Sequence, residues 1–178
     1  LIDSILLNFQ NARIFVVPLD DKAKSALSRF KEKEERIVIL ENVSIVNSIK
    51  AFESKGRTRA EAIFSVKPQV IELALQSIGE NELLFYCDSD IYFFKNFQSV
   101  FFLNHDVVLT EHVLAPDLAT YAKYGKYNAG FVGFRNNSKG VTALEWWKQQ
   151  CVSECSLKVT VSSFADQKYL ERISAVSY

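Results

Sequence analysis

Two aspartates that follow an apolar segment are the residues best placed to do chemistry. Leu83–Cys87 is a run of five apolar side chains, and Asp88 and Asp90 come directly after it, separated by Ser89. Carboxylates this close raise each other's pKa unless a positive charge meets them. Their hard oxygen atoms suit Mg²⁺ or Mn²⁺. The pattern therefore predicts a metal site at Asp88 and Asp90, and the alternative is an exposed Asp-Ser-Asp turn that caps the next element.

Two further segments carry unusual residues. Asn128, Gly130 and Gly133 lie inside an otherwise apolar strand pattern, where such residues are poor unless a ligand or another backbone comes close. Asn128 could donate its amide to a sugar hydroxyl, or the glycines could serve only the packing of a neighbouring helix. Asp166 precedes a predicted helix over residues 167–173, so capping that helix competes with a place in an active centre.

The order of elements places these residues at the end of a sheet. Apolar spacing predicts that Pro68 is the first residue of a helix ending before Gly79, and that Thr142 and Glu145 form a capping box. Helices alternating with strands indicate an α/β fold with a mostly parallel central sheet flanked by helices. Ligands bind beyond the carboxyl ends of the strands in such sheets. The other predicted helices cover residues 2–9, 23–30, 117–124 and 142–155, and the strands 13–17, 37–40, 83–87, 107–110 and 127–134.

Composition limits the class of protein. The chain has 178 residues, of which 48% are hydrophobic, enough for one core, so residues 1–178 are predicted to form a single domain. Its 21 basic and 21 acidic residues cancel, which argues against nucleic acid as a partner. The apolar runs are too short for a transmembrane segment, although peripheral membrane contact stays open. Three cysteines and no recognisable leader favour a reducing, cytoplasmic location.

Five segments, in order, resemble the GT-A fold glycosyltransferases, the nucleotide-diphospho-sugar transferases, and especially their bacterial-type members. An apolar strand followed by Asp-x-Asp, an upstream Lys-Pro pair and a later Asn-x-Gly strand are typical of the family, as are a Trp-Trp helix with a later Cys and an Asp-Gln-x-x-Leu segment. The resemblance implies a Rossmann-like GT-A fold. In this chain the matching residues are 83–94, 65–68, 127–135, 144–151 and 166–170.

The resemblance also implies roles for individual residues near the donor. Asp90 would ligate the metal, and Asp88 would contact the metal or the ribose. Asn128, Asp166 and Gln167 would lie near the donor sugar and its anomeric carbon. In an inverting enzyme Asp166 would take the acceptor proton, and in a retaining one Asp166 or Gln167 would stabilise the cationic sugar.

Basic residues upstream are expected to meet the nucleotide. Lys67, Arg57 and Arg59 are candidate contacts for the diphosphate, with solvated helix charges as the alternative for Arg57 and Arg59. His112 follows a predicted strand, where it would face the acceptor or serve a structural purpose.

The expected activity is metal-dependent transfer, of the hexosyltransferase type, from a nucleotide-diphosphate sugar such as a UDP-sugar. The cofactor would be Mn²⁺ or Mg²⁺, and the acceptor hydroxyl would belong to a glycan, a lipid-linked or a small molecule, in glycan or surface polysaccharide synthesis. The chain departs from the family in starting at a helix, in lacking a later metal-binding His, and in lacking a glycine before Asp166. We therefore expect a domain that is incomplete at both ends.

Two other functional classes stay open at this point. A haloacid-dehalogenase-like phosphatase also places Asp-x-Asp after an apolar strand, and there Asp88 would be the nucleophile. A non-catalytic nucleotide-sugar-binding domain would need the same donor contacts but no transfer.

Overall fold

A computed structural model describes residues 1–97 and 104–175, and these form a mixed α/β fold. Two 3₁₀ helices, Pro116–Tyr124 and Lys168–Ala175, accompany the regular elements. The helices are α1 (Ile2–Asn8), α2 (Asp21–Lys31), α3 (Val43–Ser54), α4 (Arg59–Leu75) and α5 (Ser138–Ser153), and the strands are β1 (Ile14–Val16), β2 (Ile37–Ile39), β3 (Leu83–Cys87), β4 (Val107–Glu111) and β5 (Tyr127–Arg135).

The described strands form two small sheets rather than one. β1 and β2 pair in parallel, whereas β3 and β4 both pair antiparallel with β5, in the order β3-β5-β4. The predicted mostly parallel central sheet is therefore not confirmed. A parallel pair needs a long crossover, usually an α-helix, and only a short 3₁₀ helix separates β4 from β5.

Helix α4 begins earlier than the sequence predicts. Thr58 is its N-cap and forms a capping box with Glu61, whereas Pro68 lies inside the helix. The prediction that Pro68 starts a helix is therefore wrong. An interior proline costs about 3 kcal/mol. Burial of apolar residues on both sides of it, among them Val66 and Ile71, offsets that cost.

Helix α5 also begins before its predicted start. Asn137 is the N-cap, and its side chain accepts a hydrogen bond from the Gly140 amide at 2.9 Å. Thr142 and Glu145 form no capping box, since Glu145 instead pairs with Lys148 one turn along. An Asn at the N-cap satisfies the first free amides as well as a Thr would, and it lies closer to the end of β5.

The main core fixes α4 and α5 on one face of the three-stranded sheet. Trp147 of α5 and Phe134 of β5 are fully buried and stack at 5.9 Å between ring centroids. Leu170 of the second 3₁₀ helix closes the same cluster, and Leu84 and Tyr86 of β3 pack against it. A smaller cluster joins α3 to α4. The core thus holds α4 beside the end of β3, where Asp88 and Asp90 follow.

Within the two described ranges, no helix combines the length and the apolar character needed to cross a membrane.

The acid dependence of stability should reveal the role of Glu61. Hydrogen bonds from the Leu157 and Thr58 amides lower the pKa of Glu61 to about 2. Because this folded-state pKa lies below that of the unfolded chain, the stabilisation is present above pH 4.5 and is lost as the pH falls towards 2. Solvent screening limits the effect to roughly 1 kcal/mol. Urea unfolding of the wild type and Glu61→Gln should differ by that amount at pH 7 and converge as the pH approaches 2; a difference that stays constant with pH would contradict this account.

Candidate functional site

Strand β3 delivers Asp88 to the helix-covered side of the sheet. Side chains alternate along a strand, so Leu84, Tyr86 and Asp88 share one face and Phe85 lies on the other. The Asp88 amide donates to the Gly130 carbonyl at 2.8 Å, which extends the pairing with β5 one residue past Cys87. The backbone of Asp88 is therefore fixed even though its side chain is 38% exposed.

Lys67 of α4 contacts residues from three other parts of the site. It is 5% exposed, and its ammonium lies 2.8 Å from Asp166 Oδ2 and 3.4 Å from Asp88 Oδ1. It also donates to the Ala129 carbonyl at 3.3 Å. Three residues that the sequence suggested separately, from α4, from the end of β3 and from the turn before the second 3₁₀ helix, thus meet at one point.

Burial and charge act against each other in this cluster. Burial disfavours the charged form of Lys67, but Asp166 and then Asp88 outweigh it and raise the pKa of the ammonium. For Asp166, burial disfavours the charged carboxylate and raises its pKa, and the nearby Lys67 opposes that rise. Lys67 is therefore a retained internal cation that compensates two carboxylates.

The turn that carries Asp166 aims its side chain inward. Ala165 has a positive φ of 45°, an uncommon conformation for a residue with a side chain. The Asp166 carbonyl accepts a 2.7 Å hydrogen bond from Trp147 Nε1. Its Oδ2 atom is buried and faces Lys67 as an ion pair, without a hydrogen bond of ordinary geometry from any described residue. The side chain is thus turned to the cluster, not to capping the helix that follows.

Gly130 makes room for the Asp88 carboxylate. A Cβ atom at this position would lie 2.8 Å from Asp88 Oδ2, too close for a real contact. Asn128 Oδ1 accepts from the Gly130 amide at 2.8 Å. Gly133 similarly leaves space for the Phe85 ring. A side chain of the β3 segment thus lies against each glycine. The sequence suggested a ligand or a neighbouring helix at these positions instead.

Gln167 braces the start of β5. Its Oε1 accepts from the Ala129 amide at 3.4 Å, and its Nε2 donates to the Tyr124 carbonyl at 3.1 Å. Both ends of the side-chain amide are therefore occupied by backbone, beside the Lys67 contact on Ala129.

Asp90 is exposed, and the chain after it is held by α1. Within the described residues, the Asp90 carboxylate makes no hydrogen bond or ion pair. Two α1 side chains hold the backbone of Phe93: Ser4 Oγ accepts from its amide at 3.1 Å, and Asn8 Nδ2 donates to its carbonyl at 2.8 Å. The segment that carries Asp90 is thus anchored on both sides while the carboxylate stays accessible.

The other basic candidates lie in different surroundings. Arg57 donates to the Cys151, Val152 and Ser153 carbonyls at the end of α5. Arg59 pairs with Glu53 at 3.4 Å. Arg59 is eight residues before Lys67, about 12 Å along the helix axis.

His112 lies beyond β4, where its backbone amide bonds the Lys126 carbonyl at 2.8 Å. Arg57 thus binds the carbonyl groups at the end of α5. No described contact joins Arg57, Arg59 or His112 to the cluster around Lys67.

The donor set at Asp88 and Asp90 suits a hard divalent cation. Mg²⁺ is commonly bound through one or two carboxylates together with water and substrate phosphates. Asp90 offers a free carboxylate, and Asp88 offers Oδ2. No group of three His, Cys, Asp or Glu side chains in the described part of the chain converges on one point. Asp88 and Asp90 therefore suit a cation that takes its remaining ligands from substrate and solvent.

Sequence reasoning missed several supporting residues. Tyr86 donates its hydroxyl to Asp88 Oδ1 at 2.6 Å, and the two-residue spacing along a strand could have indicated this. Burial and then the bond to Asp88 raise the pKa of Tyr86 well above its ordinary value, so the hydroxyl keeps its proton. Ser4 and Asn8 carried no such signal, because their contacts depend on how α1 packs.

Comparison with known proteins identifies the family of this chain. Residues 11–175 match the family model of the nucleotide-diphospho-sugar transferases, and the chain belongs to that family. It is 27% identical over 174 residues to the uncharacterized protein YfnF of Bacillus subtilis strain 168, covering 93% of this chain and 57% of that protein. It is 25% identical over 177 residues to the uncharacterized protein YfnD of the same strain, covering 97% and 56%. The chain thus spans just over half the length of these relatives. No solved structure matches.

Removal of the Lys67 charge should destabilise the fold strongly. Lys67→Met leaves the buried Asp166 carboxylate without its counter-ion, and breaking such a pair costs about 3–5 kcal/mol. Urea unfolding measures this loss. The matched control is Lys148→Met, which removes less buried ion pairs with Glu72 and Glu145 and should cost about 1 kcal/mol or less.

The double variant Lys67→Met with Asp166→Leu should recover much of the lost stability, because it removes the orphaned charge as well. An equal cost for Lys67→Met and Lys148→Met would show that the cluster around Lys67 is not a compensated buried pair.

Proposed function

We propose that this chain is the donor-binding part of a metal-dependent glycosyltransferase that moves a hexose-type sugar from a nucleotide diphosphate to an acceptor hydroxyl. Family membership supports the general transferase class and a nucleotide-sugar donor. The metal, the donor and the acceptor are part of the proposal, as is a role in glycan or surface polysaccharide synthesis. Membership in a transferase family also leaves the phosphatase alternative, with Asp88 as nucleophile, without support.

The observation that carries the proposal is the contrast between the two aspartates of the Asp-x-Asp triplet. Lys67 and Tyr86 hold Asp88 on one oxygen, at 3.4 and 2.6 Å, whereas Asp90 is exposed and free of partners in the described chain. An exposed turn with no function would not need Asp88 anchored by a buried cation. The arrangement instead leaves one fixed and one accessible carboxylate beside each other.

The transfer breaks the bond between the anomeric carbon and a diphosphate oxygen and forms a bond from that carbon to the acceptor oxygen. The diphosphate leaves with the bonding electrons, and the acceptor hydroxyl gives its proton to the departing diphosphate oxygen or to solvent. Asp90 and Asp88 would hold a divalent cation, which would supply Lewis-acid stabilisation of this leaving charge. The side chains of the site bind and orient the donor on which the reaction proceeds.

Asp166 is suited to stabilise positive charge on the donor sugar during transfer. Asp166 is 3% exposed and ion-paired with Lys67, which makes it a poor acceptor for a proton from a solvent-side hydroxyl. A fixed negative charge close to the sugar stabilises positive charge at the anomeric carbon. We therefore favour this role for Asp166 over that of a general base. Asn128, with its amide nitrogen free among the described residues, is the group that we propose donates to a sugar hydroxyl.

Nucleotide binding should raise the melting temperature of the full-length protein. A ligand at 100 times its Kd adds about 2.7 kcal/mol to the free energy of unfolding. For a chain of this size that corresponds to a shift of roughly 5–10 °C. A thermal-shift panel of nucleoside diphosphates and their sugars, with and without Mn²⁺, should show one base that acts together with the metal. Absence of a shift with every nucleotide would contradict the proposal.

Asp90→Asn should abolish metal-dependent turnover without loss of fold. The amide retains the size of the side chain but lacks the charge that binds the cation. We expect sugar transfer or donor hydrolysis to fall at least about 100-fold, because loss of a direct ligand should cost more than the 10- to 100-fold typical for loss of a ligand's hydrogen-bonding partner, with an unchanged melting temperature. The matched control is Asp21→Asn, an exposed carboxylate in the first turn of α2. Equal activity in Asp90→Asn and Asp21→Asn would remove Asp90 from the site.

A further inference from the structure

Tyr86 contacts both members of the Lys67–Asp88 ion pair. Its hydroxyl lies 2.6 Å from Asp88 Oδ1, and the Lys67 ammonium lies 5.0 Å from the centroid of its ring. A cation at this distance is attracted by the face of an aromatic ring. The ring of Phe64 lies 5.5 Å from the same ammonium on α4. Tyr86 therefore lies where the Lys67–Asp88 pair is formed, one side chain before the triplet on the same strand face.

We propose that Tyr86 is a positioning residue that turns the Asp88 carboxylate so that Oδ2 is presented to a divalent cation. This inference rests on the proposed function and adds a residue to which no role was assigned. Tyr86 touches neither the cation nor the donor, and it acts through Asp88.

The two oxygens of the Asp88 carboxylate have different neighbours, and this difference supports the proposal. Oδ1 receives the Tyr86 hydroxyl at 2.6 Å and the Lys67 ammonium at 3.4 Å. Oδ2 lies over Gly130, where a Cβ atom would come within 2.8 Å. The carboxylate is thus held at Oδ1 by two donors, whereas Oδ2 occupies the space that the missing side chain of Gly130 leaves open. Without the hydroxyl, Lys67 at the longer distance is the remaining restraint on Oδ1.

Hydrogen-bonded partners of metal ligands have measurable effects on metal affinity. Loss of such a partner typically weakens metal binding 10- to 100-fold. Tyr86→Phe removes the hydroxyl but keeps the ring beneath Lys67, so it separates positioning of Asp88 from packing. A purely structural hydroxyl would change stability alone.

The test is a titration of full-length protein with Mn²⁺, in which electron paramagnetic resonance reports the free ion. Titrations are run with Mn²⁺ alone and with Mn²⁺ plus UDP. We expect Tyr86→Phe to weaken Mn²⁺ binding about tenfold. The matched control is Tyr169→Phe, which removes a hydroxyl that donates to the Glu154 carbonyl at 2.9 Å in the core. It should lower the melting temperature but leave Mn²⁺ affinity unchanged.

A second variant disturbs Asp88 from its other side. Gly130→Ala places a methyl group against Oδ2 and tests the premise that the orientation of the Asp88 carboxylate sets the Mn²⁺ affinity. If Tyr86→Phe does not fold, unchanged Mn²⁺ affinity in folded Gly130→Ala would overturn the proposal. Wild-type Mn²⁺ affinity in folded Tyr86→Phe would overturn the role of Tyr86 and leave the proposed function intact. Absence of Mn²⁺ binding in the wild type, with and without UDP, would overturn both. An equal loss of affinity in Tyr169→Phe would also overturn the positioning role, since any lost hydroxyl would then have the same effect.

Discussion

The ion pair between Lys67 and Asp166 is the interaction on which the rest of the site depends. Both side chains are almost fully buried, and separating two such charges from each other is among the costliest changes a fold can suffer. The pair joins α4 to the turn before the second 3₁₀ helix across the end of β3. Asp88 completes the group at 3.4 Å from the same ammonium. The carboxylates of the site are therefore held from inside the protein, and the solvent side is left open.

The architecture around this pair explains features that would otherwise be costly. Helix α4 carries an interior proline next to Lys67, and the turn at Ala165 uses a left-handed backbone conformation. Trp147 reaches from the core to fix the carbonyl of Asp166. Each of these places a polar group of the cluster within contact of the others. Packing of α4 and α5 on the sheet thus supplies the free energy that holds a charged cluster in the interior.

The sequence predicted the elements better than their arrangement. The apolar run before Asp88 predicts β3 correctly because Leu84 and Tyr86 pack on the main core and Phe85 packs on aromatic rings at the other face. The antiparallel pairing of β3 with β5 could not be predicted, since periodicity along one strand carries no information about the direction of its neighbour. The start of α4 was misplaced because Pro68 is a common first residue of helices. The capping box at Thr58 lies far upstream in a weakly patterned region.

The site was predicted in part for similar reasons. Local patterns and the family resemblance indicate the Asp-x-Asp triplet, Lys67, Asn128 and Asp166, and the structure brings Asp88 and Asp166 to the ammonium of Lys67. Contacts that depend on tertiary packing were not foreseen. The hydrogen bonds of Ser4 and Asn8 with the backbone of Phe93 join residues about 85 positions apart. Arg57 was a candidate for the diphosphate, yet its guanidinium is occupied by the end of α5.

The absence of a side chain at Gly130 links two positions that are distant in the chain. The space over Gly130 is filled by the carboxylate of Asp88, so the size of residue 130 limits what residue 88 can be. Among homologues, we therefore expect the two positions to covary: a residue larger than glycine at 130 should be accompanied by a shorter residue at 88. A relative that retains an Asp-x-Asp triplet but carries a bulky residue at this point of the neighbouring strand would have to turn its first carboxylate away from that strand.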